Sequence, residues 1–199
     1  MKTIILGTAH LKSTPGKCSP DKRLKEYAYS REIVSAVKAI LSNMGYNVFV
    51  DIEDADLNVT QQQELSLRCK IVNELCKQYD CIYVSIHVNA AASDGKWHNA
   101  TGWEIYTSPG KTKADDLATC IFNAAKYNLK DKKLRTDLSD GDPDKEANLY
   151  VLKHTNCPAV LTENFFMDTK SDVDYLLSDE GFHEITRLHV EGILSYLNK

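Results

Sequence analysis

The sequence predicts a single α/β domain over residues 1–199, built on a mostly parallel, twisted sheet with helices on both faces. Short apolar runs rich in β-branched and aromatic residues alternate along the chain with longer segments of helical periodicity, the pattern of strand–helix–strand units. A length of 199 residues suits one domain with a sizeable core. No internal repeat, linker or low-complexity segment divides the chain.

Thr3-Ile4-Ile5-Leu6 is the first run, too short for a helix and apolar enough for a buried strand. Glu26 to Asn43 then places Ile33, Val34, Val37, Ile40 and Leu41 at helical spacings, continued by Met44 and stopped at Gly45. Asn47-Val48-Phe49-Val50 reads as a second strand. Gln61 to Tyr79 reads as a second helix, carrying Leu65, Leu67, Ile71, Val72 and Leu75. Cys81-Ile82-Tyr83-Val84-Ser85-Ile86 and Ala159-Val160-Leu161-Thr162 are further buried strands. Trp103-Glu104-Ile105-Tyr106 alternates and suits a strand nearer an edge. Leu117 to Tyr127, Ser171 to Leu177 and His183 to Leu197 complete the helices. Lys130 to Ala147 lacks periodicity and reads as a long surface loop, with Ser139-Asp140-Gly141-Asp142-Pro143-Asp144 at its centre.

Composition narrows the function. The net charge of -4, with no basic cluster on one predicted face, argues against nucleic acid as a partner. No apolar run approaches the roughly 20 residues that span a bilayer, so no membrane insertion is expected. Met1-Lys2-Thr3 leads into an apolar run too short for a secretory signal. The expectation is synthesis in the cytoplasm, or a chain trimmed of its leader. The six cysteines form no Cys-x-x-Cys pair and read as free thiols, mostly buried, with Cys69 and Cys76 on one helix face.

Ligands of α/β sheets bind beyond the carboxyl ends of the strands. The first strand is followed by Gly7-Thr8-Ala9-His10, the strand from Cys81 runs into His87-Val88-Asn89, and the strand from Ala159 runs into Glu163-Asn164. Glu26 opens the first long helix after a loop able to return to that edge. Two imidazoles and a carboxylate form a sound three-ligand set for zinc, and a further carboxylate such as Glu163 suits the proton transfer of a hydrolysis. Each residue also has a plainer reading. His10 is then a loop residue, Glu26 a first-turn acid favoured by the helix dipole, and Glu163 a helix-entry acid. Placement at one edge leaves both readings open. His98 lies in a polar loop, and His183 and His189 fall on the last helix, where exposure is expected. His154, after Val151-Leu152-Lys153, is a candidate to line the cleft.

Taken in order, these residues resemble the zinc-dependent N-acetylmuramoyl-L-alanine amidases of bacteria and phages, which carry a His-Glu-His site. His10 and Glu26 stand where that family has a Gly-His element and a helix-opening glutamate. Leu65-Ser66-Leu67-Arg68 matches Leu-x-x-Arg, and Ser85-Ile86-His87-Val88-Asn89-Ala90 matches Ser-Ile-His-x-Asn-Ala. Gly102-Trp103-Glu104-Ile105-Tyr106 is similar to Gly-x-Glu-x-Tyr. Leu149-Tyr150-Val151-Leu152 and Pro158-Ala159-Val160-Leu161-Thr162-Glu163 resemble the closing elements. The resemblance implies zinc on His10, Glu26 and His87, with Glu163 as acid/base. The implied reaction cuts the amide between N-acetylmuramic acid and the L-alanine of the peptidoglycan stem, with Asn89, Asn164 and His154 as candidate cleft residues. It also implies action on the cell wall, and without a leader the chain is more similar to a phage lysin than to a secreted enzyme.

Two departures stand out. The usual Asp-Pro-Gly-His-Gly-Gly is replaced by Ile5-Leu6-Gly7-Thr8-Ala9-His10-Leu11-Lys12, so the loop at His10 must take another path. Asn164-Phe165-Phe166 and Thr169 replace the Gly-Phe and later Asn that follow the glutamate. The alternatives are a non-catalytic peptidoglycan-binding module of the same fold, or a zinc peptidase or deacetylase acting on another amide.

Overall fold

The computed structural model describes residues 2–199. Its elements in chain order are β1 (Thr3–Thr8), α1 (Glu26–Asn43), β2 (Val48–Val50), α2 (Gln61–Cys76), β3 (Cys81–Asn89), β4 (Glu104–Thr107), α3 (Ala114–Asn128), β5 (Lys145–Glu146), α4 (Tyr150–Lys153), β6 (Ala159–Phe166), α5 (Lys170–Leu176) and α6 (Asp179–Leu197). The strands form one sheet in the order β2-β1-β3-β6-β4-β5. All neighbouring pairs are parallel except β4 with β6. That single antiparallel pair is what brings β4 and the loop beyond it against the end of β6.

Side-chain alternation along the strands divides the core. Ile4, Leu6, Ile82, Val84, Ile86 and Val160 face a large cluster formed with α1, α3 and α6. Ile5, Tyr83, Cys81, Ala159 and Leu161 face a smaller one, closed by Cys69 and Val72 of α2 and Val151 and Leu152 of α4. Both faces of the sheet are therefore covered, as the sequence pattern predicts. None of the described helices is long and apolar enough to cross a membrane. All six cysteines are free; Cys69, Cys81 and Cys120 are buried and the others partly so.

Several boundaries move for identifiable reasons. The helix expected to reach Tyr79 stops at Cys76, because Gln78 and Tyr79 both turn their N–H groups onto Leu75 O before β3 begins. Its start is fixed by a capping box between Thr60 and Gln63. The last helix begins at Asp179 rather than His183, since the Ser178 side chain accepts the Gly181 N–H at 3.1 Å and caps it. β3 and β6 run past their apolar stretches to Asn89 and Phe166, so His87 and Glu163 are strand residues.

The stretch 130–147 is mostly irregular, as expected, but Lys145–Glu146 pairs with β4 and Leu134 bridges to Trp103. His189 corrects the expectation of exposure. It is fully buried on the sheet-facing side of α6, with Nδ1 2.7 Å from Ile185 O and Nε2 2.9 Å from Thr162 Oγ1.

Candidate metal centre

β1 and β3 pair in register with Thr8 beside Ile86, and β3 and β6 pair with His87 beside Glu163. This register sets His10, two residues past Thr8, beside His87 at the carboxyl end of the sheet. The two imidazole rings stand 5.3 Å apart and perpendicular. Glu26, almost wholly buried at the start of α1, reaches both: Oε1 lies 3.1 Å from His87 Nδ1 and Oε2 3.5 Å from His10 Nε2. One ligand atom from each of the three residues lies within 4.8 Å of the others. The N-terminal placement of Glu26 also returns the Val88 N–H to its Oε1 at 3.2 Å.

The altered loop at His10 is held without its glycines. His10 itself takes the left-handed conformation, φ 42°, an uncommon one for a residue with a Cβ. Two neighbours on α1 stabilise it. Ser30 Oγ accepts the Ala9 N–H at 2.8 Å and donates to Ile86 O at 2.6 Å. Arg31 Nη1 donates to the carbonyls of Ala9, His10 and Tyr27 at 3.0, 2.9 and 2.9 Å. Behind the loop, buried Arg68 joins Asp51 at 2.6 Å, Glu64 at 2.9 Å and Thr8 Oγ1 at 3.2 Å. This gives the Leu-x-x-Arg match a physical role: it pins the end of β1.

Electrostatics separate the two glutamates. Burial works against charge on Glu26, yet the His87 hydrogen bond and the nearby His10 and Lys17 hold its pKa below the usual carboxylate value. Burial drives the His10 pKa down to about 3, against the pull of Glu26, so its imidazole is neutral at pH 7 and fit for a metal. Glu163 goes the other way. Burial and the negative charge of Glu26 push its pKa well above the ordinary range, with Glu104 adding to the shift. Its Oε2 is buried without a hydrogen-bond partner, as is Glu26 Oε2.

The fit to a metal is good on this structure's own terms. An unpartnered buried carboxylate oxygen converging with two imidazoles is the borderline N/O donor set that zinc favours. Glu163, in register beside His87, stands next to that set without joining it.

The three candidate cleft residues fare differently. Asn89 lies at the rim of β3, its Nδ2 donating to Glu104 Oε1 at 2.6 Å. Asn164 is fully buried, so it is not a cleft residue. Its Oδ1 accepts from Trp103 Nε1 at 2.8 Å, and its Nδ2 donates to His87 O at 2.8 Å. His154 is also misplaced by the sequence reading. It caps α4 beside the amino end of β6, stacked 4.0 Å from Tyr150, at the opposite end of the sheet.

Sequence reasoning passed over Ser30 and Arg31, which act on backbone atoms, and Lys17, whose Nζ lies 3.9 Å from Glu26 Oε2. It quoted Glu104 only as a motif letter. In the structure Glu104 is buried and accepts from Asn89, Tyr106 OH at 2.8 Å, Arg135 Nε at 2.7 Å and Lys145 Nζ at 2.5 Å.

A family model described as N-acetylmuramoyl-L-alanine amidase matches residues 4–195. The chain is 32% identical over 184 residues to the endolysin of Bacillus phage SPP1, covering 88% of this chain and 59% of the relative. It is 29% identical over 182 residues to the N-acetylmuramoyl-L-alanine amidase CwlM of Bacillus licheniformis, covering 88% of this chain and 61% of the relative. The chain thus spans less than two thirds of the length of both of these curated relatives. In fold it is similar to the crystal structure of an N-acetylmuramoyl-L-alanine amidase from Clostridium difficile 630 (TM-score 0.83, 24% identity, covering 100% and 97% of the two chains). It is also similar to amidase AmiC2 of Nostoc punctiforme (TM-score 0.79, 23% identity, covering 100% and 98%).

Proposed function

Because this chain belongs to the N-acetylmuramoyl-L-alanine amidase family, we propose that it is a zinc hydrolase of peptidoglycan, cutting the amide between N-acetylmuramic acid and the L-alanine that begins the stem peptide. The observation that carries this reading is the convergence of His10, Glu26 and His87 at one strand edge, with the unpartnered carboxyl of Glu163 in register beside them. The amidases and endolysin to which the chain is similar support it, and the site of action would be the cell wall.

His10, Glu26 and His87 would hold the ion. When bound, zinc supplies Lewis acidity toward the scissile carbonyl and the attacking water. Glu163 then performs the proton work. Its carboxylate takes a proton from the attacking water and delivers it to the leaving amide nitrogen, so the C–N bond breaks with an amine as product. Burial and the Glu26 charge, which raise its pKa, make the ionised Glu163 a stronger base than an ordinary carboxylate, which suits taking a proton from water. Lys17, 3.9 Å from the outer oxygen of Glu26, adds positive charge beside that carboxylate.

Metal analysis of the purified protein and digestion of defined muropeptides test the reading together. The expected result is bound zinc and release of the whole stem peptide. Glu163→Gln is expected to keep the metal while lowering the rate by roughly 100-fold or more. Protein that takes up no zinc, or a product lacking one amino acid or an acetyl group instead of the stem, would overturn it.

A further inference from the structure

The buried Glu104 carries more positive charge than it needs. It lies directly opposite Glu163 in the antiparallel β4–β6 pair, so both side chains project from the same face of the sheet. Asn89 and Tyr106 satisfy its Oε1, while Arg135 and Lys145 both converge on its Oε2. One of those cations neutralises the carboxylate. The other is in excess of what that carboxylate requires.

Arg135 is also unusually well fixed for a residue in a long loop. Its N–H donates to Trp103 O at 2.9 Å, and its guanidinium carbon lies 5.2 Å from the Phe166 ring centre. Its aliphatic stem rests on Gly102, where a Cβ would come within 2.9 Å of Arg135 Cγ and of Lys133 O, and where φ is +123°. Only Nε is engaged, with Glu104; among the described residues Nη1 and Nη2 have no hydrogen-bond partner. The side chain keeps 31% of its surface exposed. A guanidinium ordered in advance, with its two outer nitrogens open to solvent, is the fork that takes a carboxylate in a bidentate grip. Little side-chain entropy remains to be lost when it does so.

We infer that Arg135, backed by Lys145 on Glu104, forms a subsite for a carboxylate of the substrate's stem peptide. This rests on the amidase reading and deepens it: the acidic form of the stem is the preferred ligand. A role confined to holding Glu104 in place would not need the second cation or the open fork.

Calorimetric titration of metal-loaded Glu163→Gln protein tests binding apart from turnover. The probes are two N-acetylmuramoyl tripeptides that differ only in whether the peptide carboxyls are free or amidated. The free-acid form is expected to bind at least about tenfold tighter. Adding Arg135→Gln should abolish that preference while leaving affinity for the amidated form within about twofold; Arg135→Lys, which keeps the charge and loses the fork, should restore part of it. Lys145→Gln, which leaves the Arg135 contacts intact, should weaken the preference and guards against a misfolded Arg135 variant. Equal affinity for the two probes, no binding of either, or an equal loss for both in Arg135→Gln overturns the subsite. Failure of the unsubstituted protein to cut either probe would instead count against the amidase reading, and the two failures are read separately.

Discussion

Ser30 shows how one hydroxyl replaces a missing loop sequence. It takes the Ala9 N–H and gives its proton to Ile86 O, so the loop bearing His10 is tied to the strand bearing His87 through the helix bearing Glu26. Ser30→Ala would leave the buried Ala9 N–H unpaired, a cost of about 1–3 kcal/mol. Urea denaturation of the metal-free protein is expected to show that loss. Zinc affinity should fall by about tenfold or more, as when a group that orients a ligand is removed. Unchanged affinity would mean that His10 does not depend on the hydroxyl. This residue-level support was invisible in the sequence because Ser30 and Arg31 bind carbonyls and amides, and backbone atoms leave no letter to read. His10, Glu26, His87 and Glu163 were legible for the opposite reason: each is an ionisable side chain at a predicted element end, where apolar periodicity gives way. Asn164 and His154 misled because proximity in sequence to a strand end says nothing about the direction a side chain takes.

The elements were read from periodicity, and where they differ the cause is local. α2 and α6 changed length through capping and a terminal turn, which depend on single side-chain contacts rather than on the apolar pattern. β5 and α4 are too short to carry any pattern. β6 hides another feature: between the His87–Glu163 and Asn89–Phe166 pairs it contains one more residue than β3, a bulge at which Phe165 takes φ 63°. The bulge ends the regular pairing just after Glu163, while Asn164 keeps the strand alternation and faces the core beside Thr162. The packing of α3 on α6 is close for a reason that composition cannot show. At Gly192 a Cβ would meet Ile121 Cα at 2.5 Å. Gly192→Ala is therefore expected to destabilise the protein by about 1–3 kcal/mol, despite the roughly 1 kcal/mol that alanine gains in helix propensity. A thermal melt reads the sign directly, and a raised midpoint would show that the two helices can part at little cost.

At the scale of the molecule, two cores share one sheet and the candidate site lies at its carboxyl end. The fold class and the parallel majority were legible, whereas the antiparallel β4 was not, because alternation marks a strand without giving its direction. The placement of Arg135 and Lys145 follows from that direction and was therefore also hidden. Stability of the whole fold should depend on acid through His189, which locks α6 to β6. Burial lowers its pKa to about 4 from the ordinary 6.5, against the hydrogen bond to Ile185 O. Between those values the unfolded chain binds the proton and the folded chain does not, so stability falls as pH drops through that window and changes no further from this group below about 4. Urea midpoints of metal-free protein at pH 7 and pH 4.5 should separate more for the unsubstituted chain than for His189→Gln, in which that proton is absent; an equal separation would assign the acid sensitivity elsewhere. The hydrogen-bonded path from Trp103 through Asn164 to the carbonyl of His87 has an optical consequence. The buried indole shares a polar partner with His87, a proposed metal ligand, while Trp97, the second tryptophan, is 38% exposed and is expected to emit at longer wavelength. The blue side of the intrinsic fluorescence spectrum is therefore expected to shift when zinc is added to the metal-free protein, a readout that needs neither dye nor substrate.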